Sequence, residues 1–421
     1  MRKLQPPPIH EIENLHLPAP QIHHLANGIP VYETCLGSEE VLKIEVVFQA
    51  GRPFERKKLA SRATAQMLKE GTRSYTGAEI AETFDFYGAS LSTPVNLDFS
   101  SVLVFSLKKY FDQLLPILSE MLSVPTFPER ELNTYVRRSK QKLAIDLCKN
   151  DVVAYRTVTE KIFGESHFYG FNSSADLYDA LTCADLQEHF DHFYGSENCQ
   201  IFLSGKTDDH ILRLLDDSLG QVLGPKHSLH AQLPDVPIST GKLRLPGVGE
   251  LQAAIRIGRR TFNHCHADYC GLFVLNTLFG GYFGSRLMAN IREESGLTYN
   301  IGSTLDPMRY DGCLYVGTEV STDKVDESLR EIYTEMKKLA DEPVKEDELL
   351  MVRRYLLGNM LPMLDGPFNV SETIKTLVAE GAPEGHFDHL VHTIKTISAR
   401  ELQELAQRYL RAEDMWEVIV G

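Results

Sequence analysis

This chain repeats itself, and the repeat limits its possible folds more than any other property. Residues 186–205 read LQEHFDHFYGSENCQIFLSG and residues 402–421 read LQELAQRYLRAEDMWEVIVG. The blocks align without a gap, Leu186 on Leu402, an offset of 216 residues. Leu186-Gln187-Glu188 matches Leu402-Gln403-Glu404, Glu197 matches Glu413, and Gly205 matches Gly421. Both blocks run from an amphipathic helix through a polar turn into a short apolar strand. The same offset pairs Val136-Arg137-Arg138 with Val352-Arg353-Arg354. A constant offset over two separated blocks, with the same order of elements, marks a duplicated unit.

The sequence thus divides into an N-terminal half (1–223), a linker (224–240) and a C-terminal half (241–421). The linker, GPKHSLHAQLPDVPIST, is polar and carries three prolines, as connecting segments do. Leu42–Gly51, Ser101–Leu107 and Gly312–Thr318 read as strands, and Tyr110–Leu122 and Val325–Leu339 as helices. Strands and long helices mix without strict alternation. That predicts an α+β fold, a tandem duplication of an antiparallel or mixed sheet flanked by helices.

Composition narrows the function classes. Lys+Arg number 43 against 58 Asp+Glu, a formal charge of −15, which repels nucleic acid and anionic membranes. No run approaches the roughly 20 apolar residues of a membrane helix. The N-terminal MRKLQPPPIHEIENLHLPAP lacks the apolar stretch of a secretory signal. Seven scattered cysteines with no CxxC fit buried thiols in a reducing compartment. A cytoplasmic bacterial protein is the expectation.

The segment Gly280–Asn300, GGYFGSRLMANIREESGLTYN, is the strongest chemical candidate. Its glycines permit positive φ and close backbone approach. A helix over Ser285–Glu294 carries Arg286 and Arg292, Gly296 sits where a helix stops, and a strand from about Leu297 carries Tyr299. Arg292 and Tyr299 could face one cleft and hydrogen-bond a substrate carbonyl. The alternative is a surface arginine and a half-buried tyrosine.

The histidines make poor metal sets. His189 and His192 have ligand-like spacing, but their repeat counterparts are Leu405 and Arg408, one core and one solvent position. His386, His389 and His392 fan out over nearly two helical turns. His264, His266 and Cys270 precede or enter an apolar helix, and adjacent ligands point apart. Structural histidines are the expectation for all three. HExxH, HxxEH, GxSxG and the phosphate-binding GxxxxGK[ST] are absent.

These parts resemble the pitrilysin/insulinase-type zinc metallopeptidases, which include the mitochondrial processing peptidase subunits and bacterial relatives. The resemblance covers nearly the whole chain. Leu59–Thr72, LASRATAQMLKEGT, stands where the family carries a motif like GLAHFLEHMLFKGT, and Tyr75–Ser92 follows it as in the family. GGYFGSRLMANIREESGLTY resembles the family's second-half block GGGxxSRLxxxxREKxGLxY. The resemblance implies the LuxS/processing-peptidase-like metallohydrolase fold. It also shows a loss. The inverted zinc motif HxxEH falls on Arg62–Gln66, which reads Arg62-Ala63-Thr64-Ala65-Gln66. Both histidines and the catalytic glutamate are gone at Arg62, Ala65 and Gln66. The third family ligand, a glutamate, falls near Leu143 or Ala144, and neither can bind a metal.

The resemblance therefore implies no catalytic residue and no zinc in this chain. Arg292 and Tyr299 fall on the family's substrate-binding arginine and tyrosine, which help only when a zinc site faces them. The implied protein is a non-catalytic subunit, similar to the alpha-type processing peptidase subunit. It would pair with a homologous HxxEH-bearing, zinc-holding partner around a peptide-sized chamber. When isolated it could form a homodimer. The competing expectations are a non-enzymatic scaffold of the same fold, and a peptidase with its metal relocated to His264, His266 and Cys270.

Overall fold

A computed structural model describes residues 11–421 except 227–230, 232 and 250. Part of the linker and the first ten residues of the N-terminal segment therefore lie outside the described residues. The chain forms two mixed sheets. The first comprises β1 (Gln21–His24), β2 (Pro30–Cys35), β3 (Val41–Phe48), β4 (Ser90–Ser92), β5 (Ser100–Leu107) and β6 (Cys199–Gly205), in the order β1-β2-β6-β3-β5-β4. The second comprises β7 (Gly241–Leu245), β8 (Gln252–Arg260), β9 (Ile301–Pro307), β10 (Gly312–Ser321) and β11 (Trp416–Val420), in the order β7-β11-β8-β10-β9. One pair in each sheet, β2–β6 and β7–β11, is parallel, and the rest are antiparallel.

Apart from the extra β1, the sheets share one topology. The last strand of each half, β6 or β11, inserts between the half's first parallel neighbour and its long central strand. The repeat is visible in the helices too. Cys183–Phe193 and Ala399–Tyr409 are each 11 residues long, begin at the same repeat position and start with a capping box. Each capping box satisfies backbone donors that a helix start leaves free. Asn150–Phe163 and Gly366–Ala379, both of 14 residues, also start at equivalent positions. The α+β duplication is thus a property of the folded chain.

The halves exchange one helix each. Ala154, Val158, Ile162 and Phe163 of the first half's helix pack on Ala254, Val418 and Val420 of the second sheet. Reciprocally, Val370 and Ile374 of the second half's helix pack on Val47 and Phe202 of the first sheet. One face of each sheet is therefore closed by the other half. Its opposite face packs on its own helices in a separate large core.

Charge reinforces the exchange. Lys43 and Glu45 on β3 are almost wholly buried. Lys43 Nζ lies 2.7 Å from Glu372 and 3.4 Å from Glu45, and Lys375 Nζ lies 3.3 Å from Glu45. Buried carboxylates and ammonium groups persist only when paired in this way. The turns before β5 and β10 also meet. The Arg309 backbone N–H donates to Asp98 Oδ2 at 3.0 Å, and the Tyr169 hydroxyl donates to Asp98 Oδ1. No helix among the described residues is long and apolar enough to cross a membrane.

Candidate substrate-binding site and the vacated zinc helix

The helix that would hold zinc runs over Ala60–Met67. Glu55 holds its start, accepting from the Leu59 and Ser61 backbone N–H groups at 3.1 and 3.0 Å and from Ser61 Oγ at 2.5 Å. Burial pushes the Glu55 carboxyl above its ordinary range, against these hydrogen bonds and Arg52. Arg62 is exposed on this helix and Ala65 is fully buried. Gln66 Nε2 donates to the Thr93 carbonyl at 2.9 Å, so its amide serves structure. On the facing helix, Leu143 is buried and Ala144 is exposed. Among the described residues, no group of three or more His, Cys, Asp or Glu side chains is placed to hold a metal ion. A zinc site needs such a donor set.

The second-half block is built differently. Apolar residues from Tyr269 onward form a buried helix that widens to a π-turn over Thr277–Gly281. Here the glycine expectation is corrected. Gly280, Gly281 and Gly284 are not in the positive-φ region. Close approach is what Gly280 supplies: a Cβ there would lie 2.5 Å from the Ser303 backbone nitrogen of β9.

The next helix is wound as a π-helix over Met288–Glu294 rather than as a regular helix from Ser285. Gly296, at φ +62°, ends it as the sequence expects. The strand also starts later than expected. β9 begins at Ile301, and Tyr299 stands in the preceding loop. Thr298 explains the delay. Its hydroxyl donates to the Glu319 carbonyl at 2.6 Å, pinning the loop to β10 before strand pairing begins.

This winding brings Arg292 and Tyr299 together. The Arg292 guanidinium lies 4.9 Å from the centre of the Tyr299 ring and 4.8 Å from that of Phe283. Tyr299 is 85% exposed. Arg286, by contrast, is occupied by a two-pronged bond to Glu348 at 2.8 and 3.0 Å. Arg292 makes no hydrogen bond or ion pair among the described residues, so its five N–H donors remain available. Tyr299 lines a cleft of about 740 Å³ with Asn300, Arg256, Tyr315, Asp151 and Tyr155. Asp151 and Tyr155 come from the exchanged helix of the first half. Burial pushes the Tyr155 and Tyr315 phenols up, so both stay protonated donors. Arg292 itself does not line the cleft but stands against Tyr299, which does, so the guanidinium and the phenol can together orient a carbonyl-bearing chain.

Sequence reasoning missed Phe283, the second ring beneath Arg292, although an aromatic between glycines was a visible signal. It could not have found Asp151 or Tyr155, which reach the cleft only through the helix exchange.

The histidine sets separate. His189 is buried with Nε2 2.9 Å from the Ala50 carbonyl, whereas His192 bonds the Glu188 carbonyl of its own helix at 2.7 Å. His386 is buried, while His389 and His392 are exposed. His264 bonds Glu380 at 2.7 Å, and His266 stacks on Phe262 with ring centres 3.7 Å apart. Cys270 is buried, and burial pushes its thiol up to about 11.

A family model described as the peptidase M16 inactive domain matches residues 180–356. The chain is 21% identical over 354 residues to the uncharacterized zinc protease YmxG of Bacillus subtilis, covering 83% of this chain and 84% of that protein. It is 21% identical over 361 residues to the probable inactive metalloprotease YmfF of the same organism, covering 80% and 83%. A crystal structure of a peptidase M16 inactive domain from Pseudomonas fluorescens superimposes with a TM-score of 0.86 at 20% identity, covering 96% of this chain and 98% of that one. That likeness establishes the fold. Together with the repeat and the emptied motif at Arg62–Gln66, the matches show a chain similar over most of its length to inactive-type M16 peptidase homologues, with residues 180–356 matching the inactive-domain model and no HxxEH at Arg62–Gln66.

Proposed function

We propose that the chain is the zinc-free member of a two-subunit peptide-degrading or processing chamber. In this reading a homologous partner bearing HxxEH supplies zinc and the catalytic carboxylate. The present chain, acting as two units (1–223 and 241–421) joined by the 224–240 linker, supplies Arg292 and Tyr299 to bind the peptide. The observation that carries the reading is the unpartnered Arg292 guanidinium stacked on a Tyr299 that is 85% exposed beside the cleft. A guanidinium with free donors beside a phenol suits a peptide carbonyl, and such donors matter most where water is excluded. A cytoplasmic site of action belongs to the same reading.

The test mixes the chain with an HxxEH-bearing homologue from the same genome and follows cleavage of an unstructured peptide. Hydrolysis should require both chains and fall about tenfold or more with Arg292→Ala or Tyr299→Phe. Hydrolysis indifferent to both substitutions would instead favour a non-enzymatic assembly protein of the same fold.

A further inference from the structure

The second half holds a cavity of about 730 Å³, separate from the Tyr299 cleft. Small-molecule sites commonly span about 300–1,000 Å³, with mostly apolar walls and a few convergent polar groups. The apolar walls are Tyr269, Phe273, Met360, Leu377, Phe387 and Leu390. Four different elements contribute them: the helices Tyr269–Asn276, Glu346–Met360, Gly366–Ala379 and His386–Thr396.

Two histidines from motifs with no metal role converge here. His264 and His386 both line the cavity, their ring centres 5.0 Å apart. His264 Nε2 faces the Glu380 carboxylate, which only accepts, so this nitrogen carries the proton. His386 is 6% exposed, and none of the described residues hydrogen-bonds its ring nitrogens. Burial beside His264 and His389 pushes its imidazole down to about 4. It is therefore neutral near pH 7 and offers one donor and one acceptor. Beside it the His264 Nδ1 is buried with no hydrogen-bond partner among the described residues, and such an orphaned atom is rare in native proteins.

The charge of the walls selects the ligand further. Among the described residues, Glu372 is the one carboxylate in the lining, and Lys43 and Lys375 neutralise it. None of the described lysines or arginines lines the cavity. An ionised ligand would lose its water and meet no counter-ion.

We propose that this cavity binds an uncharged amphiphile, an apolar body carrying one hydroxyl or primary amide, with that head group on the His386 imidazole. The head group bonds the His386 ring beside the orphaned His264 Nδ1, and the apolar body covers the wall between Phe273 and Leu390.

The experiment titrates the full chain at pH 8 with 1-octanol and separately with octanoate, reading heat by calorimetry and the His386 ring resonances by NMR. Octanol should bind saturably and shift those resonances. Octanoate, ionised at this pH, should bind at least about tenfold more weakly. His386→Phe keeps a ring but removes both nitrogens, and should weaken octanol about three- to tenfold, the value of one uncharged hydrogen bond. Leu390→Trp, checked by circular dichroism for an intact fold, should fill the cavity and abolish binding. Non-saturable octanol uptake, octanoate binding as tightly as octanol, or octanol binding unchanged by both substitutions would each overturn the proposal.

Discussion

The Arg292 guanidinium rests 4.9 Å from the Tyr299 ring centre, and that ring is the most solvent-exposed aromatic side chain near the cleft. A half-buried guanidinium over an exposed ring adds little to stability, about 0.5–1 kcal/mol. Their pairing therefore says more about presentation than about folding.

Arg292→Lys keeps the charge but loses the planar fork and its stacking. Its melting temperature should stay within about 2 °C of the parent, since the stack contributes so little. Peptide hydrolysis by the reconstituted pair should still fall. Full activity with lysine would show that charge alone suffices at this position.

Stability should weaken in mild acid partly through His189. Burial pushes this imidazole down to about 4, below its ordinary 6.5. Between those values the unfolded chain binds more protons than the folded one, so stability is lost as pH falls from about 6.5 to 4. A shift of this size is worth about 3 kcal/mol in total. His189→Gln retains a donor for the Ala50 carbonyl, and its urea-derived stability should decline less than the parent's between pH 7 and pH 4. Parallel declines would sink this account.

Gly280→Ala should be costly although its backbone dihedrals are ordinary. The added methyl lies 2.5 Å from the Ser303 nitrogen, a main-chain atom that cannot swing aside. Overpacking of this kind costs about 1–3 kcal/mol. Chemical denaturation would measure it, and the same change at the half-buried Gly358, where a Cβ meets nothing within 4 Å, is the control.

The buried ion group on β3 couples the halves. Lys43→Met leaves Glu45, 1% exposed, with Lys375 as its one remaining cation among the described residues. Removing one partner of a buried pair costs about 3–5 kcal/mol, and replacing both by apolar groups recovers much of that. Lys43→Met with Glu45→Leu should therefore be more stable than Lys43→Met alone. A thermal melt of the three proteins decides it.

Zinc should not be retained. After dialysis against zinc and then buffer, elemental analysis should find far less than one zinc per chain. Restoring Arg62→His, Ala65→Glu and Gln66→His should raise the content little, because Leu143 and Ala144 supply no third protein ligand. Stoichiometric zinc in the parent chain would revive a relocated site.

The duplication, the α+β architecture of two sheets and the loss of the zinc motif were all legible in the sequence, because each is written locally. The repeat is a fixed offset in the string, amphipathic periodicity marks the elements, and Arg62, Ala65 and Gln66 lack the chemistry to bind zinc whatever surrounds them. The spacing of Arg292 and Tyr299 was legible for the same reason, but the start of β9 was not. The Thr298 hydroxyl holds Tyr299 in a loop through a bond to the Glu319 carbonyl, a contact between distant segments.

The helix exchange came from tertiary packing, because Ala154, Val158, Val370 and Ile374 present the same apolar face whichever sheet they cover. So did the convergence of His264 with His386 and the arrival of Asp151 and Tyr155 at the Tyr299 cleft. Periodicity tells a helix which face to bury, whereas the partner that buries it is chosen by the packing of the whole chain.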